Sequence, residues 1–121
     1  MLGWKVFGSG MPGLQVHAVC KDVGITISAA GTTQGTATEL TAADNEVTTV
    51  AAGSGVITSQ FLASGDAQSV FNAGANALKV YPTSGMKINS LPTNQAMLLP
   101  INTGCLLKCV STTRIFWILS A

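Results

Sequence analysis

Charge is what this sequence has least of. Only 9% of its 121 residues are Asp, Glu, Lys or Arg, against roughly 25% in an ordinary soluble domain. Long apolar runs are missing too. The longest charge-free run, Ile88 to Leu107, is interrupted by Asn89, Ser90, Pro92, Asn94, Gln95, Pro100 and Asn102. A spanning helix needs about 20 mostly apolar residues, so no membrane partner is expected. The net charge is +1 and no basic run exceeds one residue, which leaves no electrostatic footprint for nucleic acid. Cysteine is sparse and odd in number: Cys20, Cys105 and Cys109 do not make a disulfide framework. Met1 to Lys5 has no apolar stretch before a small-residue cleavage site, so no secretory signal is expected. The expected setting for assembly is a reducing cytoplasm.

The missing charge is replaced by Thr, Ser, Gly, Ala and Asn. Charge is the usual protection against association. A neutral surface of this kind reads as one that other chains cover. The length allows one domain with a single core.

Residues 1–22 differ from the rest. They hold Trp4, Phe7 and the only histidine, His17, around a turn-like Gly8-Ser9-Gly10-Met11-Pro12-Gly13. They read as an extended N-terminal arm followed by a short strand, Leu14 to Cys20. From residue 23 to 121 the signals are those of a β domain. Ile25 to Ala29, Glu46 to Val50, Gln68 to Asn72, Ala77 to Tyr81, Ala96 to Ile101, Cys105 to Val110 and Arg114 to Leu119 are short apolar or alternating runs. Gly, Pro, Asn and Ser bound them. No segment sustains a helical stripe over three turns. The pattern predicts an all-β fold, a small antiparallel β-sandwich or β-barrel of jelly-roll type.

The last predicted strand is apolar on both faces. Ile115, Trp117 and Leu119 alternate with Phe116 and Ile118, whereas a half-buried strand is apolar on one face only. Its second face either meets another subunit or lies beneath the folded-over arm. Trp and Phe are enriched in subunit contacts. The candidate contact residues are therefore Trp4, Phe7, Phe116, Trp117 and Ile118.

Candidate chemistry is thin. His17 lies near Ser9 and Cys20, but on a strand it would face away from Cys20, and no supporting motif accompanies it. Cys105 and Cys109 would share one face of a strand with Leu107 between them. A Cys₃His zinc site would need Cys20 and His17 as well, and three small buried hydrophobes are the simpler reading. Asp44-Asn45-Glu46 lacks a spaced calcium pattern and reads as a solvated turn. Gly8-Ser9-Gly10 and Gly53-Ser54-Gly55 are not followed by a phosphate-loop ending. Phe71, Lys79 and Tyr81 read as core packing rather than as a stacking platform. No enzyme, cofactor, metal or small-molecule substrate is expected.

One segment carries a resemblance. Val70-Phe71-Asn72-Ala73-Gly74-Ala75-Asn76-Ala77-Leu78-Lys79-Val80-Tyr81-Pro82-Thr83-Ser84-Gly85-Met86-Lys87-Ile88-Asn89 resembles a recurrent stretch of bacteriophage virion proteins. The Thr/Ala-rich piece Gly31 to Val56 precedes it and the run Leu106 to Trp117 follows it, as in those proteins. The similarity covers about residues 24–121. It departs at Met86-Lys87 and at Cys105 and Cys109, and residues 1–22 have no counterpart. The motif occurs in head decoration (cement) proteins, head fibres and fibre modules of tailed phages. It implies a small, commonly trimeric β domain on the virion, assembled in the bacterial cytoplasm. A decoration protein would bind the major capsid protein across capsomers. The alternative is a fibre or tail module that binds a host glycan, with Tyr81 beside Asn76 or Asn89, or another tail protein.

Overall fold

The computed structural model describes residues 23–119. Residues 1–22, with Trp4, Phe7, His17 and Cys20, lie outside the described residues. The fold is all-β. Its strands are β1 (Val23–Ser28), β2 (Thr38–Glu39), β3 (Asp44–Thr49), β4 (Gly55–Ile57), β5 (Ala67–Asn72), β6 (Leu78–Tyr81), β7 (Lys87–Ile88), β8 (Met97–Leu99), β9 (Thr103–Cys109) and β10 (Arg114–Leu119). A single 3₁₀ turn, Gln34–Thr36, lies between β1 and β2.

Two sheets face each other. One has six strands in the order β1-β3-β5-β9-β10-β7, the other four in the order β2-β4-β6-β8. From β1 to β8 the chain crosses from one sheet to the other after every strand. Strands two apart in sequence therefore lie side by side and parallel: β1 with β3 and β3 with β5 in one sheet, β2 with β4 and β4 with β6 in the other. This is the winding of a β-solenoid. The last part of the chain closes it differently. β8 runs antiparallel to β6, β9 lies antiparallel between β5 and β10, and β7 joins β10 in parallel.

The antiparallel sandwich, barrel or jelly roll expected from the sequence is thus corrected to mixed sheets in a solenoid-like coil. The reason is local. A strand that hairpins back and a strand that crosses to the opposite sheet are punctuated by the same turn residues. Both also alternate inward and outward with period two. Spacing alone does not separate them.

The core lies between the sheets. Val47, Val70, Leu107 and Ile115 from the six-stranded sheet meet Val56, Leu78, Val80 and Leu99 from the other, all fully buried. Cys105 and Cys109 point inward on either side of Leu107, as free thiols. Asp44-Asn45-Glu46 is not a turn but the start of β3, with Asn45 buried and its two acidic neighbours exposed.

Some crossings bond the backbone of the neighbouring coil, and at several others buried amide side chains supply the partner. Gln68 donates from Nε2 to the carbonyls of Leu40 and Ala42 at 3.0 and 2.9 Å, and its Oε1 accepts from Ser59 N–H at 2.9 Å. It ties the crossing after β2 to the one after β4. Asn72, wholly buried, donates to the carbonyls of Asn76 and Leu99 and accepts from Gly74 N–H, all at 2.9–3.0 Å. Asn76 donates to Val50 O at 2.8 Å. Asn72 and Asn76 therefore serve side-chain bonding, and none of Asn72, Gly74 and Asn76 has a positive φ. Gly74 is required for another reason. A Cβ there would sit 2.5 Å from Val50 Cγ2.

β1, at one end of the six-stranded sheet, is irregular. Thr26 has φ +55°, a left-handed conformation that a β-branched residue rarely adopts, and the register with β3 shifts on either side of Ile27.

Asn72→Ala removes three hydrogen bonds and leaves Gly74 N–H, Asn76 O and Leu99 O without that partner. A loss of about 2–4 kcal/mol is expected. Exposed Gln95→Ala should cost under about 0.5 kcal/mol. Urea unfolding of the two variants checks this.

Candidate assembly surface

The outward side of the six-stranded sheet follows from register. Asp44 and Glu46 of β3 align with Ser69 and Phe71 of β5. Ser69, Phe71 and Ala67 align with Leu106, Gly104 and Lys108 of β9. Leu106 and Lys108 align with Ile118 and Phe116 of β10, and Arg114 aligns with Lys87 of β7. All of these point away from the core, because Val47, Val70, Leu107 and Ile115 between them point into it.

The middle of this face is apolar and uncovered by the described residues. Phe71, Leu106, Phe116 and Ile118 are 41, 39, 46 and 58% exposed. Leu106 and Ile118 are direct cross-strand neighbours, and Phe116 precedes Ile118 by two on the same face. Contiguous exposed patches of large apolar side chains on a small domain mark interaction sites.

The sequence candidates divide here. Phe116 and Ile118 stand on the open face. Trp117 turns inward and packs, partly buried, against the core, with its backbone N–H bonded to Asn89 Oδ1 at 2.9 Å. Trp4 and Phe7 lie outside the described residues. Phe71, expected in the core, is exposed instead. The alternation that shows it is in the sequence, since Gln68, Val70 and Asn72 face inward, which turns Ser69 and Phe71 outward. Leu106 became legible only through its position between Cys105 and Leu107, both buried.

Charge borders the apolar patch. Asp44 and Glu46 stand at one corner, Asp44 accepting from the Ser69 hydroxyl at 2.6 Å. Lys108, Arg114 and Lys87 stand toward the opposite corner. None of the five makes an ion pair with a described residue.

Comparison with protein-family models, curated proteins and solved structures finds no match.

The four-stranded sheet carries a shallower feature. A groove of about 350 Å³ is lined by Lys79, Tyr81, Asn94, Gln95, Ala96 and Leu98. Tyr81 lies close over Gly55, where a Cβ would meet Tyr81 Cε2 at 2.9 Å, and its hydroxyl donates to Thr32 O at 3.1 Å. Neither Asn76 nor Asn89 lines this groove. Their amides bond Val50 O and Trp117 N–H instead. Phe71 and Tyr81 belong to different sheets, so they form no common stacking platform. Among the described residues no group of three His, Cys, Asp or Glu side chains comes together to hold a metal, and no helix is long and apolar enough to cross a membrane.

The buried Cys105 thiol is chemically quiet. Burial pushes the Cys105 thiol up to about 12, only partly opposed by a hydrogen bond with the Val70 backbone. The thiolate is the reactive form, so Cys105 should resist a maleimide in the native protein and react once urea unfolds it. The folded thiol keeps its proton where the unfolded thiol, near its ordinary 9.0, loses it. Between those two values the unfolded state binds fewer protons, so stability falls as pH rises, by about 1.4 kcal/mol per unit. Urea melts from about pH 10 to 11, above the unfolded value and below the folded one, should approach this slope in the wild type and give a flatter one in Cys105→Ala.

Proposed function

We propose that this chain is a structural protein of a tailed-phage virion, a decoration (cement) protein that works as a homo-oligomer on the assembled head. One observation carries the reading: the apolar outer face of the six-stranded sheet, built from Phe71, Leu106, Phe116 and Ile118 and exposed on a chain of very low charge. The resemblance of Val70 to Asn89 to virion proteins supports the setting. The mechanism is mechanical. A protein that binds only the assembled shell stabilises that state by mass action, and several copies held together gain avidity for a repeating lattice. Contacts come from the outer face and from Trp4 and Phe7, with the major capsid protein as the further partner. The role calls for no catalytic residue and no cofactor.

A second reading, a fibre or tail module that binds a host glycan or another tail protein, draws on the groove beside Tyr81. Binding of the purified protein to host cells without binding to heads would decide for it.

The test is co-sedimentation of the full-length protein with emptied heads of the phage that encodes it. Wild type should pellet with the heads. Phe116→Ser combined with Ile118→Ser should weaken binding about tenfold or more, as expected when interface anchors are truncated. The melting temperature should change little, because both side chains are exposed. Unchanged head binding by this variant would remove the outer face from the reading, and no head binding by wild type would remove the reading itself.

A further inference from the structure

Five charged side chains stand on the outer face of the six-stranded sheet, and they are sorted by sign. Asp44 and Glu46 belong to β3. Lys108, Arg114 and Lys87 belong to β9, β10 and β7. The other charged residues among those described, Glu39, Asp66 and Lys79, lie elsewhere. β5 separates β3 from β9, so the nearest acids and bases stand at least two strand spacings apart, about 10 Å. None of the five forms an ion pair with a described residue. Between them runs the apolar group of Phe71, Leu106, Ile118 and Phe116.

We propose that this face pairs with the same face of a second copy of the chain, across a two-fold axis that lays the acids of each copy over the bases of the other. The proposal rests on the reading of this face as an assembly surface and names its partner.

The geometry selects this arrangement. An axis lying in the plane of the face, and passing between the two charge groups close to Leu106 and Ile118, exchanges acidic corner for basic corner. It also brings Leu106 and Ile118, which lie near it, against their counterparts. Isologous contacts require this self-complementarity. A side-by-side ring would also join acidic flank to basic flank, but it would leave the four apolar side chains in water. Only the face-to-face arrangement covers the apolar group and neutralises both charge groups together. The resemblance to phage virion proteins implies three copies, whereas the sorted charge selects two. The face is small, roughly 24 by 17 Å from ladder spacings. The pairing is therefore of the weak, exchangeable class, and it is sensitive to salt because the charges lie at its rim.

Sedimentation equilibrium of the full chain in reducing buffer tests it. In low salt the wild type should rise from monomer to dimer mass with concentration, and about 0.5 M NaCl should weaken the association several-fold. Asp44→Lys with Glu46→Lys makes the face wholly basic. Lys108→Glu with Arg114→Glu makes it wholly acidic. Each variant alone should remain monomeric, and an equimolar mixture of the two should restore the dimer. A thermal melt confirms that each is folded, and the wild-type salt dependence gives a readout that needs no variant. A concentration-independent trimer, a wild type monomeric throughout, self-association unaffected by reversal, or a mixture that stays monomeric would each overturn the pairing. Head binding is read separately. If self-pairing fails while Phe116→Ser with Ile118→Ser still abolishes head binding, the face docks on the capsid instead and the virion role stands.

Discussion

The bonding of crossing backbone by buried amides holds this fold together. A chain that changes sheet after nearly every strand exposes peptide groups at its crossings, and not all of those groups can join a ladder. Burying them without partners would cost about 1–3 kcal/mol each. Gln68 and Asn72 meet that demand from inside, each bonding three backbone groups in separate parts of the chain. Asn45 does part of the same work, donating to Ala42 O and Ser69 O, while its Oδ1 finds no partner among the described residues. Neutral amides suit this place because they donate and accept at once and carry no charge to desolvate. The interior can thus be tied down with few charges.

Much of the local structure was legible in the sequence. The short apolar and period-two runs located most of the strands, the four-residue spacing put Cys105 and Cys109 on one face, and the doubly apolar Arg114 to Leu119 was visible as such. Tyr81-Pro82 ended a strand as proline demands. The pairing was not legible. Whether β3 lies beside β5 in parallel or in a hairpin depends on where the intervening strand goes, and β4 goes to the other sheet. The roles of Asn72 and Gly74 were not legible for the same reason. Their partners, Leu99 and Val50, are more than twenty residues away in sequence. The outer face was only half legible. Phe116 and Ile118 could be read from one strand, but Leu106, Phe71 and the flanking charges join them only through register.

The sheet also decides what the few charges can do. Three bases and two acids on one face would neutralise each other if their strands were neighbours. The order β3-β5-β9-β10-β7 holds them apart, with apolar side chains on the strands between. A short-range interaction that the described residues do not satisfy among themselves becomes one the face can offer outward. Scarcity sharpens the effect, since little other charge competes with it.

The kink at Thr26 bears on how far such a protein can grow. A regular parallel coil ends in an edge like the one it was built on, so nothing in its backbone forbids adding another coil from another molecule, and then another. Such growth has no natural stop and leads to fibres. At β1 the left-handed Thr26 and the shifted register interrupt the even spacing of donors and acceptors that a newcomer would have to match. Growth along the coil axis is discouraged at that edge, and a contact across a flat side, which uses itself up once made, yields a particle of fixed size. That distinction separates a closed particle from a filament.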